Sequence, residues 1–413
     1  MRVSIGEVFS FDVVKPDAGA TAVALSLFVR PAGAKSSARI GPPAAVLFAD
    51  ISETMSTHTV PVGDGCVAHC TSRLVPVREP VAVSDFDKLK VLGIGSFGTV
   101  LQVRKRDTGR LYAMKVINKK RVIERNALES LYTERRIMEY VESPFVVSLK
   151  YAMQTKTNLY FFLDFIPGGE LYWHLNRAQR FDEELARFYA AELALALSTL
   201  HGANIIYRDL KPENVLLDAT GHVCLCDFGL SKDDMQDSDK AYAFCGSPEY
   251  IAPEMLMRLG YGKAVDWWSL GILLYEMFTG LPPFYSENTN VMYKRILFGT
   301  IAWDESIPEV MKDFISKLLV REPAERLGAG DASADAIKSH PYFDNIDWSK
   351  LAARNVAPPW TPSVDGELDV SNFDETFTAM PAQDSVVEGS VLSDAAAGAF
   401  DGFTYTEGSE LRS

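Results

Sequence analysis

The chain has 413 residues, 47% of them apolar and 23% charged. That balance is globular and excludes global disorder, and the length suggests two or three domains. Forty-one basic residues face 55 acidic ones, and a formal charge of −14 argues against a non-specific grip on nucleic acid. Much of the excess sits in residues 361–413, which hold one basic and eleven acidic residues.

No apolar run reaches the ~18–20 residues that span a bilayer. The longest candidate, 18–29, is too short and follows Asp12 and Asp17, the wrong flank for a secretory leader. Five cysteines, an odd number, make no disulfide framework, so a reducing intracellular compartment is expected. Cys66, His69 and Cys70 lie close together but match no standard zinc spacing and read as ordinary residues.

Residues 1–84 alternate short apolar runs, such as Val46-Leu47-Phe48, with Pro and Gly punctuation. They predict a few strands or a loose arm, of unknown function. From Asp85 to about Ile166 strand-like segments dominate, interrupted by one helical stretch over 126–141. After Gly169 the pattern turns helical. Leu185, Tyr189, Leu193, Ala196 and Leu200 form one helix face, with Asp182 placed to cap it. Cys224 and Cys226 alternate on a predicted strand as small core residues.

Gly93-Ile94-Gly95-Ser96-Phe97-Gly98 is a G-x-G-x-x-G run. A dinucleotide site needs a helix directly after the glycines. Here a strand follows (Thr99–Val103), then an Asp107-Thr108-Gly109 turn, then a strand carrying Lys115. A glycine hairpin feeding a lysine-bearing strand is a lid for a nucleotide triphosphate: bare glycines let the backbone close over phosphates, and the lysine neutralises them. Three motifs follow in order: Tyr207-Arg208-Asp209-Leu210-Lys211-Pro212-Glu213-Asn214, Asp227-Phe228-Gly229 and Ala252-Pro253-Glu254.

With these motifs the chain resembles a serine/threonine protein kinase. Phe244-Cys245-Gly246-Ser247-Pro248-Glu249-Tyr250, Val265-Asp266-Trp267-Trp268-Ser269-Leu270-Gly271, Asn372-Phe373-Asp374 and Phe400-Asp401-Gly402-Phe403-Thr404-Tyr405 make it similar to the AGC group, its fungal Ypk and serum-and-glucocorticoid-regulated branches above all. The resemblance implies an α+β, bilobal fold. A kinase domain is expected over 86–343, with a five-stranded antiparallel sheet and one main helix over 86–166 and a mostly helical lobe over 170–343. A regulatory tail follows over 344–413.

The implied cofactors are ATP and Mg²⁺. By resemblance, Leu92, Gly93, Ile94, Gly95, Ser96, Phe97, Gly98, Val100, Ala113, Lys115, Leu163, Asp164, Ile166 and Phe373 surround ATP. Glu134 orients Lys115, and Asn214 and Asp227 hold the metal. Asp209 is the catalytic base and Lys211 steadies the γ-phosphate. Met138, Leu149, Tyr207 and Phe228 stack between the lobes, and Glu254 pairs with Arg326. Glu170, Glu213 and Glu276 match positions that receive substrate arginines at −3 and −5, and Ser247 faces Asp209 and the substrate. An active enzyme is expected over a nucleotide-binding scaffold, because Lys115, Asp209 and Asp227 are all present.

Phe400 and Phe403 should dock beside the Glu134 helix. Thr404 and Ser385 match tail phosphosites, with Ser393 as the alternative for the second. The implied partners are basic protein substrates, a target-of-rapamycin complex acting on the tail, and an upstream phosphoinositide-dependent kinase. A cytoplasmic monomer with recruitment to the plasma membrane is expected. One position departs from the group: where a phosphorylated threonine precedes Phe-Cys-Gly, this chain has Ala243. Arg208 then lacks its usual anion, and two outcomes stand open: Asp233, Asp234 or Asp237 mimics the phosphate, or the chain is a low-activity form with intact catalytic parts that is not switched.

Overall fold

The computed structural model describes residues 81–95, 98–330, 333–383, 396 and 398–407, together with the backbone of six strands between 22 and 72. The chain divides into two units, Met1–Val81 and Ala82–Ser413.

The first unit contains β1 (Ala22–Leu25), β2 (Phe28–Val29), β3 (Ala38–Arg39), β4 (Ala44–Leu47), β5 (Ser56–Gly63) and β6 (Cys66–Ser72). They pair antiparallel as β1 with β4, β2 with β3 and β5 with β6. The Val46-Leu47 run falls on β4. Cys66, His69 and Cys70 all lie on β6, and their side chains are outside the described residues.

The second unit opens with β7 (Phe86–Ile94), β8 (Gly98–Lys105) and β9 (Leu111–Asn118). Side chains on a strand alternate between faces. Leu101, Val103, Tyr112, Met114 and Val116 are accordingly buried on one face. Val100 is paired with Lys115, and Ala113 with Leu163, so these four share the other face. Helices α1 (Lys119–Glu124) and α2 (Leu128–Tyr140) follow, then β10 (Leu149–Gln154) and β11 (Asn158–Asp164). The sheet order is β10-β11-β9-β8-β7, five antiparallel strands as the sequence predicts. A sixth, β14 (Tyr405–Thr406), comes from the tail and extends the β10 edge.

The larger lobe contains α3 (Leu171–Ala178), α4 (Glu183–Gly202), the hairpin β12 (Val215–Leu217) and β13 (Val223–Leu225), α5 (Pro253–Leu256), α6 (Ala264–Thr279), α7 (Thr289–Phe298), α8 (Glu309–Leu318), α9 (Ser333–Lys338) and α10 (Trp348–Ala352), while α11 (Glu375–Thr378) of the tail packs against β7 of the sheet. Asp182 caps α4, its carboxylate accepting from the Leu185 amide at 2.9 Å. Leu185, Tyr189, Leu193, Ala196 and Leu200 are all buried. The α6 sequence is apolar nearly all round, which demands burial on every side. Trp267, Trp268, Leu270, Ile272, Leu273 and Leu274 meet that demand at the centre of the lobe. Cys224 is buried in β13, while Cys226 lies just past the strand end and is half-buried.

Candidate active site

The β7–β8 hairpin forms one wall of the cleft. The Gly95 amide donates to the Gly98 carbonyl at 2.8 Å. A side chain at Gly98 would put its Cβ 1.7 Å from the Val116 carbonyl oxygen, so only glycine lets β8 lie this close to β9. Leu92 is buried and Ile94 exposed; Ser96 and Phe97 lie outside the described residues. Val100, Ala113 and Leu163 are half-buried on the face that also carries Lys115.

Asp164 and Ile166 occupy the connection between the lobes. The Asp164 carboxylate is engaged by Arg110 at 3.1 Å and Lys150 at 3.3 Å. The tail crosses this connection. Phe373 stacks on Phe165 with centroids 6.0 Å apart, and Asn372 donates to the carbonyls of Pro167 and Ser363. Gly169, at φ +73°, permits the crossing: a Cβ there would lie 2.2 Å from the Asn372 carbonyl oxygen.

Lys115 Nζ lies 2.6 Å from Glu134 Oε1 and 3.1 Å from Asp227 Oδ1. Burial disfavours the ammonium, but the charges of Asp227 and Glu134 outweigh it and raise its pKa above the ordinary lysine value. Burial raises Glu134, against the pull of Lys115. The Lys115 charge holds Asp227 below the usual carboxylate range despite burial. Asp227 also sits at φ +55°, a left-handed backbone uncommon for a non-glycine residue.

Asp209 is the centre of a second cluster. Its Oδ2 accepts from Asn214 Nδ2 at 2.8 Å and lies 3.1 Å from Lys211 Nζ. Its Oδ1 accepts from the Ser247 hydroxyl at 3.1 Å, and Lys211 donates to that same hydroxyl at 2.9 Å. Asn214 spends its NH₂ on Asp209, which leaves its amide oxygen to face a cation.

The loop itself is held from below by Asp266 on α6, wholly buried. Its carboxylate accepts the amides of Tyr207 at 2.9 Å and Arg208 at 2.8 Å and hydrogen-bonds His201 at 2.8 Å. The sequence reading quoted Asp266 but gave it no role. Its signal is an acid inside an otherwise apolar helical run, which burial allows only with partners.

Met138, Leu149, Tyr207 and Phe228 are all buried in one core, with Tyr207 edge-on to Phe228 at 5.4 Å. Arg326 and Glu254 form a buried two-pronged pair at 2.7 and 2.8 Å. The expectation for Arg208 is corrected. It donates to the Leu230 and Ser231 carbonyls and to the Tyr261 hydroxyl, all neutral acceptors. Two of the three acids expected to replace phosphate are engaged elsewhere: Asp233 by Arg136 and Asp237 by Lys263. A guanidinium has five donors and can be satisfied by oriented carbonyls when no anion is near.

Glu170, Glu213 and Glu276 fall on one side of the cleft, close enough for Glu213 to repel both others. Burial, then a hydrogen bond from Tyr250 that opposes it, then the Glu213 charge set Glu276, with the balance pushing it up to about 7. Glu170 is likewise raised, by loss of hydration at its carboxyl first and the Glu213 charge second.

Phe400 and Phe403 are fully buried. Phe403 stacks on Phe161 at 5.3 Å and meets Tyr132 of α2 edge-on at 6.1 Å. Arg135 donates to the Gly402 carbonyl at 2.6 Å, and Lys119 lies over the Phe400 ring. Thr404 is exposed beside this docked segment. Ser385 and Ser393 lie outside the described residues.

Residues 86–343 match the Protein kinase domain, and residues 364–405 match the Protein kinase C terminal domain. The chain belongs to the protein kinase family. Among curated relatives of this kinase, the serine/threonine protein kinase ypkA of Aspergillus fumigatus is 50% identical over 83% of the chain and 54% of that protein. The serine/threonine-protein kinase gad8 of Schizosaccharomyces pombe is 51% identical over 79% of the chain and 57% of that protein. YPK1 of Saccharomyces cerevisiae is 48% identical over 81% and 49%. The chain spans about half the length of these relatives. The likeness to the AGC group and its Ypk branch therefore rests on both domains of this kinase.

Proposed function

We propose that the chain is an ATP- and Mg²⁺-dependent serine/threonine protein kinase acting on proteins with arginine three, and also five, residues before the acceptor. The observation that carries this reading is the pair of clusters in one cleft: Lys115 with Glu134 and Asp227, and Asp209 with Asn214, Lys211 and Ser247.

The residues fit both groups the reaction needs. Gly93, Gly95 and Gly98 leave the β7–β8 hairpin without side chains at those positions, and Lys115 offers a paired ammonium. Asp227 and Asn214 offer hard oxygen donors suited to Mg²⁺. When bound, ATP supplies the phosphoryl group and Mg²⁺ neutralises its charge. Lys115 draws on the α- and β-phosphates, held in line by Glu134. Asp209 holds the acceptor hydroxyl and takes its proton at Oδ1, the atom that now accepts from Ser247. Lys211, already 3.1 Å from Asp209, balances charge on the transferred group. Glu170, Glu213 and Glu276 receive substrate guanidinium groups, whose planar fork suits carboxylates.

In this reading the docked Phe400–Phe403 segment supports α2, and Thr404 is open to an upstream kinase such as a target-of-rapamycin complex. The phosphoinositide-dependent kinase has no hydroxyl to act on at Ala243. Phosphate transfer from γ-labelled ATP to a peptide with arginine at −3 tests the proposal. Transfer by the parental chain, abolished in Asp209→Asn, is expected; a parental chain that binds ATP but transfers nothing would leave only the scaffold reading.

A further inference from the structure

Activation segments must be tied to two things: the catalytic loop and the helix that carries the lysine's partner. In this chain the first tie is backbone. Ile206 and Lys232 form an antiparallel bridge with both hydrogen bonds at 2.9 Å. The Met235 amide adds a third bond, to Asn204, and the Met235 side chain is buried. The segment 232–235 is thus fixed against the stretch leading into Asp209.

The second tie starts one residue along. Asp233 Oδ2 meets Arg136 of α2, with Nε at 2.9 Å and Nη2 at 2.8 Å. The fork of Arg136 also donates to the Thr133 hydroxyl at 2.9 Å, and that hydroxyl lies 3.5 Å from Asp233 Oδ1. Thr133 and Arg136 flank Glu134 on the same helix, and Thr133 is buried. Both guanidinium nitrogens converge on one carboxylate oxygen, a charge-assisted contact from α2 to the segment. A continuous path then runs from Ile206 through Lys232 and Asp233 to Arg136, Glu134 and Lys115.

We propose that Asp233 is a positioning residue for phosphoryl transfer, a genetically encoded anion that fastens the activation segment to α2 and so holds the Glu134–Lys115 pair without any phosphate. Arg208 does not compete for it, being satisfied by neutral oxygens. The proposal rests on the kinase reading above and specifies how that site is kept assembled.

The test is a double-mutant cycle on the full chain with Asp233→Asn, Arg136→Gln and both together. Two readouts are taken: kcat with a basic peptide, and hydrogen exchange of the α2 amides with the affinity for an ATP analogue. Each single change is expected to lower kcat about three- to fivefold, the upper range for a partly exposed pair. It should speed α2 exchange while leaving the peptide KM unchanged, a split that general destabilisation would not give. The double variant should be no worse than either single, because neighbours in one interaction are not additive. Asp233→Glu should restore at least half of the lost kcat. Fully additive losses, or unchanged α2 exchange in Asp233→Asn, would overturn the proposal. If the parental chain transfers no phosphate, the functional reading fails on its own, and the exchange and affinity cycle still decides whether the fastening exists.

Discussion

Tyr261 donates its hydroxyl proton to the carbonyl of Ala243 at 2.7 Å while accepting from Arg208 at 3.0 Å. A tyrosine thus ties the 243 position to the arginine that a phosphate there would engage. The backbone backs this up, since Ala241 and Tyr261 form a two-bond antiparallel bridge. Arg208 itself is held at φ +70°, a strained conformation that persists only under such constraint.

Activity is therefore expected to be independent of phosphate on the activation segment. Exhaustive phosphatase treatment should leave kcat within about twofold, whereas Tyr261→Phe should lower stability by about 0.5–1.5 kcal/mol, the net worth of a hydrogen bond whose remaining partners, exposed Ala243 and half-buried Arg208, can turn to water. Ala243→Thr, incubated with a phosphoinositide-dependent kinase, should gain one phosphate at that residue by mass spectrometry. Strong activation of the parental chain through phosphate on residues 230–250 would contradict this account.

Asp209→Asn should keep the shape of its cluster: the amide oxygen can take the Oδ2 place and accept from Asn214 and Lys211, while the NH₂ takes the Oδ1 place and donates to the Ser247 hydroxyl. It cannot take the acceptor proton, so kcat should fall by about 10²–10⁴ with nucleotide affinity nearly unchanged. Lys115→Arg should also inactivate: a guanidinium is wider than the ammonium seated between Glu134 and Asp227. Calorimetric ATP affinity alongside single-turnover rates separates the two effects.

The parts legible in the sequence are those whose chemistry is local. Glycine spacing around Gly98, the lysine on β9 and the Asp209–Asn214 run each carry their constraint within a few residues. Strand-like texture from Asp85 to about Ile166 is legible in the same local way, whereas the two lobes and the five-stranded sheet are what the family resemblance implies. What the sequence hid depends on distant pairing. β14 is two residues long and lies directly after the docked Phe400–Phe403 segment that carries it to the β10 edge. The partners of Arg208 are carbonyls and a phenol, groups with no sequence signature as phosphate substitutes. Arg136 looked like an ordinary surface charge until Asp233, 97 residues on, was placed against it.

If the acidic cluster receives substrate arginines as proposed, Glu276 is expected to make peptide selection pH-dependent. Its folded pKa, about 7, lies above the ordinary 4.5, so the folded state binds a proton more readily than the unfolded state between those values. The sign follows: its contribution to stability is full below about 4.5 and is lost as pH rises through about 7. Arginine binding needs the ionised form, so the KM for a peptide with the −3 and −5 arginines should fall as pH rises from 6 to 8. Glu170, raised in the same direction, adds to the trend. A peptide with alanine at both positions should show a flatter profile, and Glu276→Gln should flatten the arginine peptide's profile. Parallel profiles for the two peptides would rule out this role for the acidic cluster.

The last prediction concerns the tail. Phe403 fills a site between Phe161 of β11 and Tyr132 of α2, under the Arg135 guanidinium. Removing a fully buried phenylalanine costs about 3–5 kcal/mol in transfer and cavity terms. The bonds that hold the segment around it, 398–407, include Gln154 to the Phe400 carbonyl, Tyr132 to the Ala399 carbonyl, Arg135 to the Gly402 carbonyl, the Lys150–Glu407 ion pair and the short β14 ladder, all at the rim of the sheet and α2. The loss in Phe403→Ala should therefore appear as release of the tail rather than global unfolding. Hydrogen exchange should rise at 398–407 and along β10, whose edge β14 covers, while α4 and α6 stay protected. Tyr132 is two residues from Glu134, so kcat should drop with the tail's release. Thr404→Ala is the control, since that side chain is exposed and its truncation removes no packing. It should keep the tail docked while blocking phosphate incorporation there. If Phe403→Ala retains both β10 protection and kcat, docking does not support the catalytic helix.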